Sequence, residues 1–408
     1  MQLIGPFTQI LPLTSLSLRG SLSDEQLTVI SAGGLLIVNG VISATGRFAD
    51  LRAAHPTARV TPPESSQSVC LPGWIDCHTH LLFAGSRAAD YAARNAGATY
   101  QEIGAAGGGI KDTMRRTRAA TDDTLADQLR RRLDRHLRRG VTTVEVKSGY
   151  GLSVEEELRM LRVIKRTGGA HAADVVATCL AAHVIPPEIG DERAWLRTIL
   201  AELAPVVRRE QLAERFDIFV EAGAFTPAAS RPFLLELKAQ GFDLTVHGDQ
   251  FTVGGSQLAI DVGARSVDHL EAAGPAEITA LAASEVVPVA LPNASLGLGC
   301  AFTPARQLLD AGASLAIASD WNPGSAPMGD LLTGAALLGT FEKLTTAEVF
   351  AGLTFRAAAA LNRTDRGRLA TGQRADFQIF PMGDYREILY QQGQLQPSQV
   401  WKDGSPVT

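Results

Sequence analysis

The chain has 408 residues, of which 45% are hydrophobic and 20% charged, as is ordinary for a folded protein. Its 38 basic and 43 acidic residues give a net charge of −5, which argues against nucleic acid or an anionic membrane as a partner. No apolar run approaches the roughly 18 residues that span a bilayer, and the first twenty residues do not resemble a secretory signal. We therefore expect a cytoplasmic enzyme whose four cysteines are buried thiols.

From about residue 70 the sequence alternates short apolar, β-rich runs with helical stretches. Eight runs are predicted strands: Val69–Ile75, Thr142–Val146, Val175–Ala181, Phe216–Val220, Leu244–Val246, Ser266–Val267, Val286–Leu291 and Ser314–Ala318. Because each is followed by helical sequence, the pattern predicts an α/β fold with a closed (β/α)8, TIM-like barrel over residues 69–364. The alternative is an open doubly wound sheet, but no glycine-rich dinucleotide turn follows the first strand.

The predicted helices carry clear start signals. Leucines four residues apart predict one amphipathic helix over Asp122–Arg139. Ser153 is a predicted N-cap, with Glu156 as the capping-box partner. Thr226 followed by Pro227 predicts the start of another helix, since proline is favoured at the first helical position.

The two ends of the chain, residues 1–68 and 365–408, have a different character. Both contain short β-rich pieces among glycine, serine and proline: Leu35–Asn39, Val41–Ser43, Asp376–Phe380 and Val400–Trp401. Two β-rich flanks around one barrel predict that both ends pair into a single small β-sandwich domain.

Five of the eight histidines stand at or just beyond the end of a predicted strand: His78, His80, His183, His247 and His269. Asp320 follows the eighth strand. Barrel active sites form at this C-terminal face, and side chains two apart on a strand point to the same side. Converging imidazoles and a carboxylate suit Zn²⁺ or Fe²⁺ in a hydrolytic site. The simpler alternative, an ordinary surface or core histidine, is our interpretation of the other three: His55, His136 and His171.

Several segments resemble known families. The run from Pro72 to His80, together with Asp320, resembles the amidohydrolase superfamily of metal-dependent barrel hydrolases, and Gly367–Phe377 is similar to its return strand. Five segments resemble, more narrowly, the imidazolonepropionase family: Phe83–Arg87, Gly107–Ile110, Glu145–Leu152, His183–Glu188 and Asp320–Ser325. The resemblance covers nearly the whole chain. It implies hydrolysis of 4-imidazolone-5-propanoate to N-formimidoyl-L-glutamate in histidine degradation, and a homodimer.

The resemblance also implies roles for individual residues. It assigns one transition metal per chain, Zn²⁺ or Fe²⁺/Fe³⁺, to four ligands: His78, His80, His247 and Asp320. It implies substrate contacts by Arg87, Tyr150, His183, Asn322, Gly324 and Ser325. His269 and Asp320 are the implied catalytic residues that accept a proton from the attacking water. The substrate is a small molecule with a carboxylate tail, which the Arg87 guanidinium can bind through a charge-assisted, two-pronged contact.

Three positions depart from the family pattern or stay without a role. Gln250 stands where related deaminases, and some members of this family, carry a glutamate that can shuttle protons; an amide cannot do so, and we expect Gln250 to orient substrate. The fourth strand ends at Glu221 without the lysine of two-metal relatives, which favours one metal. Lys147 is given no role, because its place on the strand is expected to turn it towards the helices.

Two other functions remain open at this point. A deaminase of the same superfamily would act on a neutral ring and would have no need of Arg87. A non-catalytic relative would keep the barrel as a scaffold, but such proteins lose metal ligands, and here every ligand is present.

Overall fold

The computed structural model describes residues 1–99, 102–103 and 106–407. Two eight-stranded sheets organise this part of the chain. The strands of the first sheet, which we call the end sheet, are β1 (Gln2–Ile10), β2 (Ile30–Val38), β3 (Val41–Arg47), β4 (Arg59–Thr61), β5 (Val69–Pro72), β14 (Phe377–Phe380), β15 (Gln399–Lys402) and β16 (Ser405–Pro406). Those of the barrel are β6 (Trp74–Asp76), β7 (Val141–Lys147), β8 (Asp174–Ala182), β9 (Arg215–Val220), β10 (Asp243–Gly248), β11 (Ser266–His269), β12 (Val287–Ala290) and β13 (Ala316–Ile317).

The end sheet joins the two ends of the chain. Its strand order is β16-β15-β14-β5-β1-β2-β3, with β4 beside β1. Strand β5 connects the two halves, because it pairs in parallel with β1 and antiparallel with β14. The β-rich pieces predicted at the two ends therefore do form one unit.

The barrel strands are all parallel and follow chain order from β6 to β13. The first and last strands meet through a parallel bridge between Thr79 and Trp321. The backbone N–H of Asp320 donates to the carbonyl of His78, and that of His80 donates to the carbonyl of Trp321, each at 3.0 Å. These bonds complete the (β/α)8 barrel and confirm the predicted fold class.

One predicted strand is wrong as a single element. The run Val69–Ile75 is divided at Gly73 into β5 of the end sheet and β6 of the barrel. A Cβ atom added to Gly73 would lie 2.3 Å from Oγ1 of Thr142, so the chain crosses between the sheets at a point with no room for a side chain.

The helices of the described residues are α1 (Phe48–Ala54), α2 (Ala88–Asn95), α3 (Ile110–Ala119), α4 (Asp122–Arg138), α5 (Val154–Gly169), α6 (Glu192–Thr198), α7 (Ala204–Arg209), α8 (Pro227–Ala239), α9 (Gly255–Val262), α10 (Pro275–Ala282), α11 (Pro292–Leu298), α12 (Ala305–Asp310), α13 (Leu331–Glu342), α14 (Thr346–Leu353), α15 (Phe355–Ala360) and α16 (Glu387–Tyr390). Asp24–Gln26 forms a 3₁₀ turn, and Ile199–Leu203 forms a π-helical turn between α6 and α7. The predicted N-caps are confirmed: Ser153 accepts from the N–H of Glu156, and Thr226 accepts from that of Ala229. The capping box predicted for Ser153 is wrong, because the Glu156 side chain accepts from Arg159 instead.

Apolar packing joins the end sheet to the barrel. The Trp74 ring lies 5.7 Å from that of Phe350 and 6.3 Å from that of Phe380, measured between centroids. Three of the cysteines are buried, as predicted, but Cys300 is exposed because it follows a short helix at the surface. None of the helices in the described ranges combines the length and the apolar character needed to cross a membrane.

Candidate metal centre and substrate site

The strand-end histidines meet around the carboxylate of Asp320. Its Oδ1 atom lies 3.4 Å from Nε2 of His78 and 3.4 Å from Nε2 of His80. The Nε2 atoms of His80 and His247 are 3.3 Å apart. The centroid of the His269 ring lies 5.9 Å from that of His78 and 5.4 Å from that of His247. All five side chains are buried, so the fold brings together the residues that the sequence assigned to the metal and to catalysis.

The backbone at this centre adopts unusual conformations. Asp320 has a φ angle of 48° and His269 one of 88°, both in the left-handed region that residues with a side chain avoid. Backbone strain of this kind costs free energy and is concentrated at functional sites.

The donor set fits a divalent transition metal. Nε2 of His78 and Oδ1 of Asp320 are buried, and neither has a hydrogen-bond partner among the described residues. Burial holds the pKa of His78 and His80 well below the usual range and lowers the pKa of His247 to about 4, so these rings are neutral at pH 7. Burial raises the pKa of Asp320 to about 7, a shift that a bound cation would oppose. Neutral imidazoles around a carboxylate are the ligands that zinc and iron take.

Two carboxylates that sequence reasoning missed orient the candidate ligands. Oδ2 of Asp268 lies 2.7 Å from Nδ1 of His78, and Oδ2 of Asp217 lies 2.8 Å from Nδ1 of His247. Such contacts keep the proton on Nδ1 and leave Nε2 free for a metal. The available signal was an acidic residue inside a predicted barrel strand for Asp217 in β9, and one directly before the strand-end His269 for Asp268 in β11.

Lys147 faces the barrel interior, so the expectation that it faces the helices is wrong. Its Nζ atom lies 2.7 Å from Oε1 of Glu145 and 2.8 Å from Oδ2 of Asp217. Glu145 is two residues away on β7, and strand alternation therefore places both side chains on the same side. Burial would raise the pKa of Asp217, but its interactions with His247 and Lys147 outweigh burial and hold this pKa well below the usual range.

His269 has an anionic neighbour of its own. Its Nδ1 atom lies 3.5 Å from Oε2 of Glu271. Burial opposes a charge on this ring, but Glu271, Asp320 and Asp268 outweigh burial and raise the pKa of His269. The anionic neighbours thus shift the pKa of His269 in the opposite direction to those of His78, His80 and His247.

Arg87 stands beside the centre with its terminal nitrogens free. Its Nε donates to Oδ2 of Asp90 at 2.8 Å, and the same oxygen accepts from the backbone N–H of Gly109 at 2.8 Å. Among the described residues, no hydrogen bond involves either Nη atom of Arg87. Asp90 thus connects the arginine to the glycine-rich segment and leaves the outer edge of the guanidinium for an anion.

The loop after Asp320 packs against this arginine. A Cβ atom added to Gly324 would lie 2.5 Å from Nη1 of Arg87, so Gly324 leaves the space that the guanidinium uses. The Asn322 side chain holds the loop together: its Oδ1 accepts from the N–H groups of Gly324 and Ser325, and its Nδ2 donates to the carbonyl of Asp320 and to Oγ of Ser325. Asn322 therefore shapes the loop through bonds of its own.

Tyr150 and His183 form the opposite wall. The His183 ring stacks on His80 at 5.3 Å between centroids, and its Nδ1 lies 3.0 Å from the carbonyl oxygen of Gly149. Burial lowers the pKa of His183 to about 4. The Tyr150 ring lies 5.5 Å from that of His183, in a loop whose backbone N–H groups donate to the buried carboxylate of Glu157.

Gln250 is half-buried beside the centre, and the described residues offer its side chain no hydrogen bond. Its loop is held from below by Glu221, which accepts from the N–H groups of Phe251 and Thr252 at 2.8 and 3.1 Å. The amide of Gln250 is thus available to a bound molecule.

Solved structures share the whole fold. A mutant atrazine chlorohydrolase from Arthrobacter aurescens, complexed with zinc and atraton, superposes with a TM-score of 0.75 at 16% identity, over 100% of this chain and 95% of its own. An adenosine deaminase from Xanthomonas campestris with bound zinc has a TM-score of 0.70 at 18% identity, over 99% of this chain and 92% of its own. At these identities the likeness shows the fold alone.

Sequence comparison is more specific. The model of the Amidohydrolase family matches residues 104–408, and that of the imidazolonepropionase-like composite domain of bacteria matches residues 33–58. A curated imidazolonepropionase from Deinococcus radiodurans is 43% identical over 95% of this chain and 94% of its own length. An imidazolonepropionase from Geobacillus kaustophilus is 41% identical over 94% of this chain and 92% of its own length. This chain therefore belongs to the imidazolonepropionase family of the amidohydrolases, and it is a hydrolase.

Proposed function

We propose that this chain hydrolyses the ring C–N bond of 4-imidazolone-5-propanoate and releases N-formimidoyl-L-glutamate, a step of histidine degradation. Family membership supports this function. The observation that carries it is the free guanidinium edge of Arg87 beside Gly324, next to the histidine centre. A cation in that place suits a substrate with a carboxylate tail.

We assign the metal to His78, His80, His247 and Asp320, as one Zn²⁺ or iron ion per chain. A metal in this site would supply Lewis acidity, which lowers the pKa of water and polarises a carbonyl group. Three neutral imidazoles and one carboxylate support this assignment. So do Asp217 and Asp268, whose carboxylates contact the Nδ1 atoms of His247 and His78.

The protein's own residues bind the substrate and move the proton. Arg87 binds the propionate, Tyr150 and His183 contact the ring, and Gln250 orients it. Gly324 and Ser325 line the tail site, where Asn322 holds their loop in place. Water adds to the ring carbonyl carbon while His269 or Asp320 accepts its proton. The ring C–N bond then breaks, and the same proton passes to the leaving nitrogen.

The competing function is deamination of a neutral ring. The adenosine deaminase named above shares the fold, and so does a guanine deaminase from C. acetobutylicum, with a TM-score of 0.72 at 12% identity. Two residues argue against this activity here: Gln250 cannot shuttle a proton, and Arg87 would have no anion to bind.

Substitution of Arg87 separates the two functions. Leaving a buried charge unpaired costs roughly 2–5 kcal/mol, so Arg87→Gln should lower kcat/KM on imidazolonepropionate by about 30- to several-thousand-fold while the metal content stays unchanged. Arg87→Lys should recover only part of the activity, because an ammonium cannot make the planar two-pronged contact. Near wild-type kcat/KM in the Arg87→Gln variant would contradict the proposal and favour a neutral ring.

We also propose that the enzyme is a cytoplasmic homodimer, and that its barrel domain runs from Gly73, where the chain leaves the end sheet, to about residue 364. Family resemblance supports the dimer. The charge balance and the helices of the described residues are compatible with this location.

A further inference from the structure

Lys147 is buried among carboxylates directly beneath the candidate metal centre, and the mechanism above does not use it. Its side chain is 0% exposed. Its Nζ atom lies 2.7 Å from Oε1 of Glu145, 2.8 Å from Oδ2 of Asp217 and 3.9 Å from Oδ2 of Asp268. The ammonium is therefore the counter-ion that these three carboxylates share.

Two of these carboxylates also contact candidate metal ligands, and they do so through the same oxygen atoms. Oδ2 of Asp217 lies 2.8 Å from both Lys147 Nζ and His247 Nδ1. Oδ2 of Asp268 lies 3.9 Å from Nζ and 2.7 Å from Nδ1 of His78. Each oxygen thus stands between the ammonium and one imidazole.

The ammonium has a physical effect on this pair of carboxylates. Asp217 and Asp268 are both buried, and two carboxylates with no cation between them would repel each other and swing apart. The shared ammonium removes that repulsion and keeps each oxygen aimed at its imidazole. The orientation of both rings then depends on a residue that touches neither ring.

We propose that Lys147 is a positioning residue of the metal centre: through Asp217 and Asp268 it fixes the rings of His247 and His78 and so raises the affinity for the metal. This inference rests on the metal site of the proposed function. It assigns Lys147 no contact with the metal or with the substrate.

The chain provides a matched control in Lys402. This lysine is also buried, with Nζ 2.8 Å from Asp376, 2.9 Å from Asp174 and 3.5 Å from Asp403. It joins the end sheet to the barrel, and none of its ion pairs involves a residue of the metal centre. Lys147→Met and Lys402→Met are therefore the same chemical change in similar surroundings.

The test measures Zn²⁺ affinity by competition with a chromophoric chelator, together with the Tm of each metal-free protein. Loss of a group that orients ligand histidines typically weakens metal binding about 10- to 100-fold. We expect that loss for Lys147→Met, whereas Lys402→Met should bind Zn²⁺ within about threefold of wild type. Both variants should have a lower Tm, because each leaves buried carboxylates without a cation.

Two results would overturn the inference: Zn²⁺ affinity of Lys147→Met equal to wild type, or an equal loss in both variants. If Lys147→Met does not fold, Lys147→Gln serves instead, since its uncharged amide keeps a hydrogen-bond donor in this cluster. A smaller but measurable loss of affinity is expected for Lys147→Gln, and no loss would contradict the inference. Substrate is absent from these measurements. A wild-type chain that binds Zn²⁺ but opens no imidazolone ring would therefore refute the proposed function alone.

Discussion

His269 differs from the other imidazoles of the centre in its surroundings. Its neighbour Glu271 lies 3.5 Å away, and this and other carboxylates raise the pKa of His269, whereas burial lowers the pKa of His78, His80 and His247. One ring thus has a raised pKa and three have lowered pKa values. This contrast is consistent with the proposal that His269 transfers a proton while the other three rings bind the metal.

His269→Ala should therefore retain the metal and lose catalysis. With His78, His80, His247 and Asp320 still present, metal content should equal that of wild type. We expect kcat to fall at least ~10²-fold, the lower range for general acid–base assistance. Elemental analysis and steady-state kinetics measure the two quantities. A metal-free variant would identify His269 as a ligand, as its closeness to His78 and His247 also permits.

Sequence reasoning identified the candidate ligands, which the fold brings together, but missed the carboxylates and the lysine that contact or lie next to them. His78 and His80 could be placed because a two-residue spacing at a strand end determines which way both side chains point. Lys147, Asp217 and Asp268 lie on β7, β9 and β11, and their contacts depend on how alternate strands fill one layer of the barrel. That layer forms only when the barrel closes, and no pattern of neighbouring residues predicts which side chains meet in it.

At the scale of elements, the loop after β13 and the loop after β6 form one substrate wall. Arg87 belongs to the first-strand loop and Gly324 to the eighth-strand loop, and the guanidinium occupies the space beside the glycine. The bridge between Thr79 and Trp321 places these two loops next to each other. Barrel closure therefore brings together the residues of the proposed tail site as well as those of the candidate metal centre.

Gly324→Ala should impair activity without destabilising the protein. Gly324 does not adopt a positive φ, so alanine fits its backbone, but the new Cβ would displace Nη1 of Arg87. A misplacement of about 1 Å can cost about 10²-fold, so we expect kcat/KM to fall by 10- to 100-fold at an unchanged Tm. Gly169→Ala, at the end of α5 in open space, is the control and should leave both unchanged. Wild-type kcat/KM in Gly324→Ala would show that the Arg87 position is not critical.

Element boundaries were less predictable than element types. The apolar run Val69–Ile75 has the composition of one strand, and only the contact between Gly73 and Thr142 shows why the chain changes sheets there. By contrast, the start of α8 at Thr226 and Pro227 followed from local chemistry, because a cap depends on the three or four residues around it.

At the scale of the whole molecule, the closed barrel removes the candidate ligands from water. The side chains of His78, His80, His247 and Asp320 are all buried. If they were exposed to water, each would titrate independently, near the ordinary pKa of its type. The closed barrel also buries Lys147 and the carboxylates of Asp217 and Asp268. The metal centre is thus a property of the folded barrel, and its response to pH should show this.

Zn²⁺ affinity should decrease by about one decade for each pH unit below 7, because a metal competes with protons for its ligands. The ligand imidazoles are already neutral: burial lowers the pKa of His247 to about 4 and holds the pKa of His78 and His80 well below the usual range. Burial raises the pKa of Asp320 to about 7, so this carboxyl alone takes up a proton as the pH falls.

The expected loss between pH 7 and pH 5 is therefore about 10²-fold, whereas three ordinary imidazoles of pKa about 6.5 would give about 10⁴-fold. The measurement is chelator competition at each pH, corrected for protonation of the chelator. Asp320→Asn keeps an oxygen at this position but cannot titrate there, so its weaker binding should vary little over this range. A slope near three decades per unit in wild type would mean that the histidines titrate as if exposed to water, and the buried, neutral centre would then be wrong.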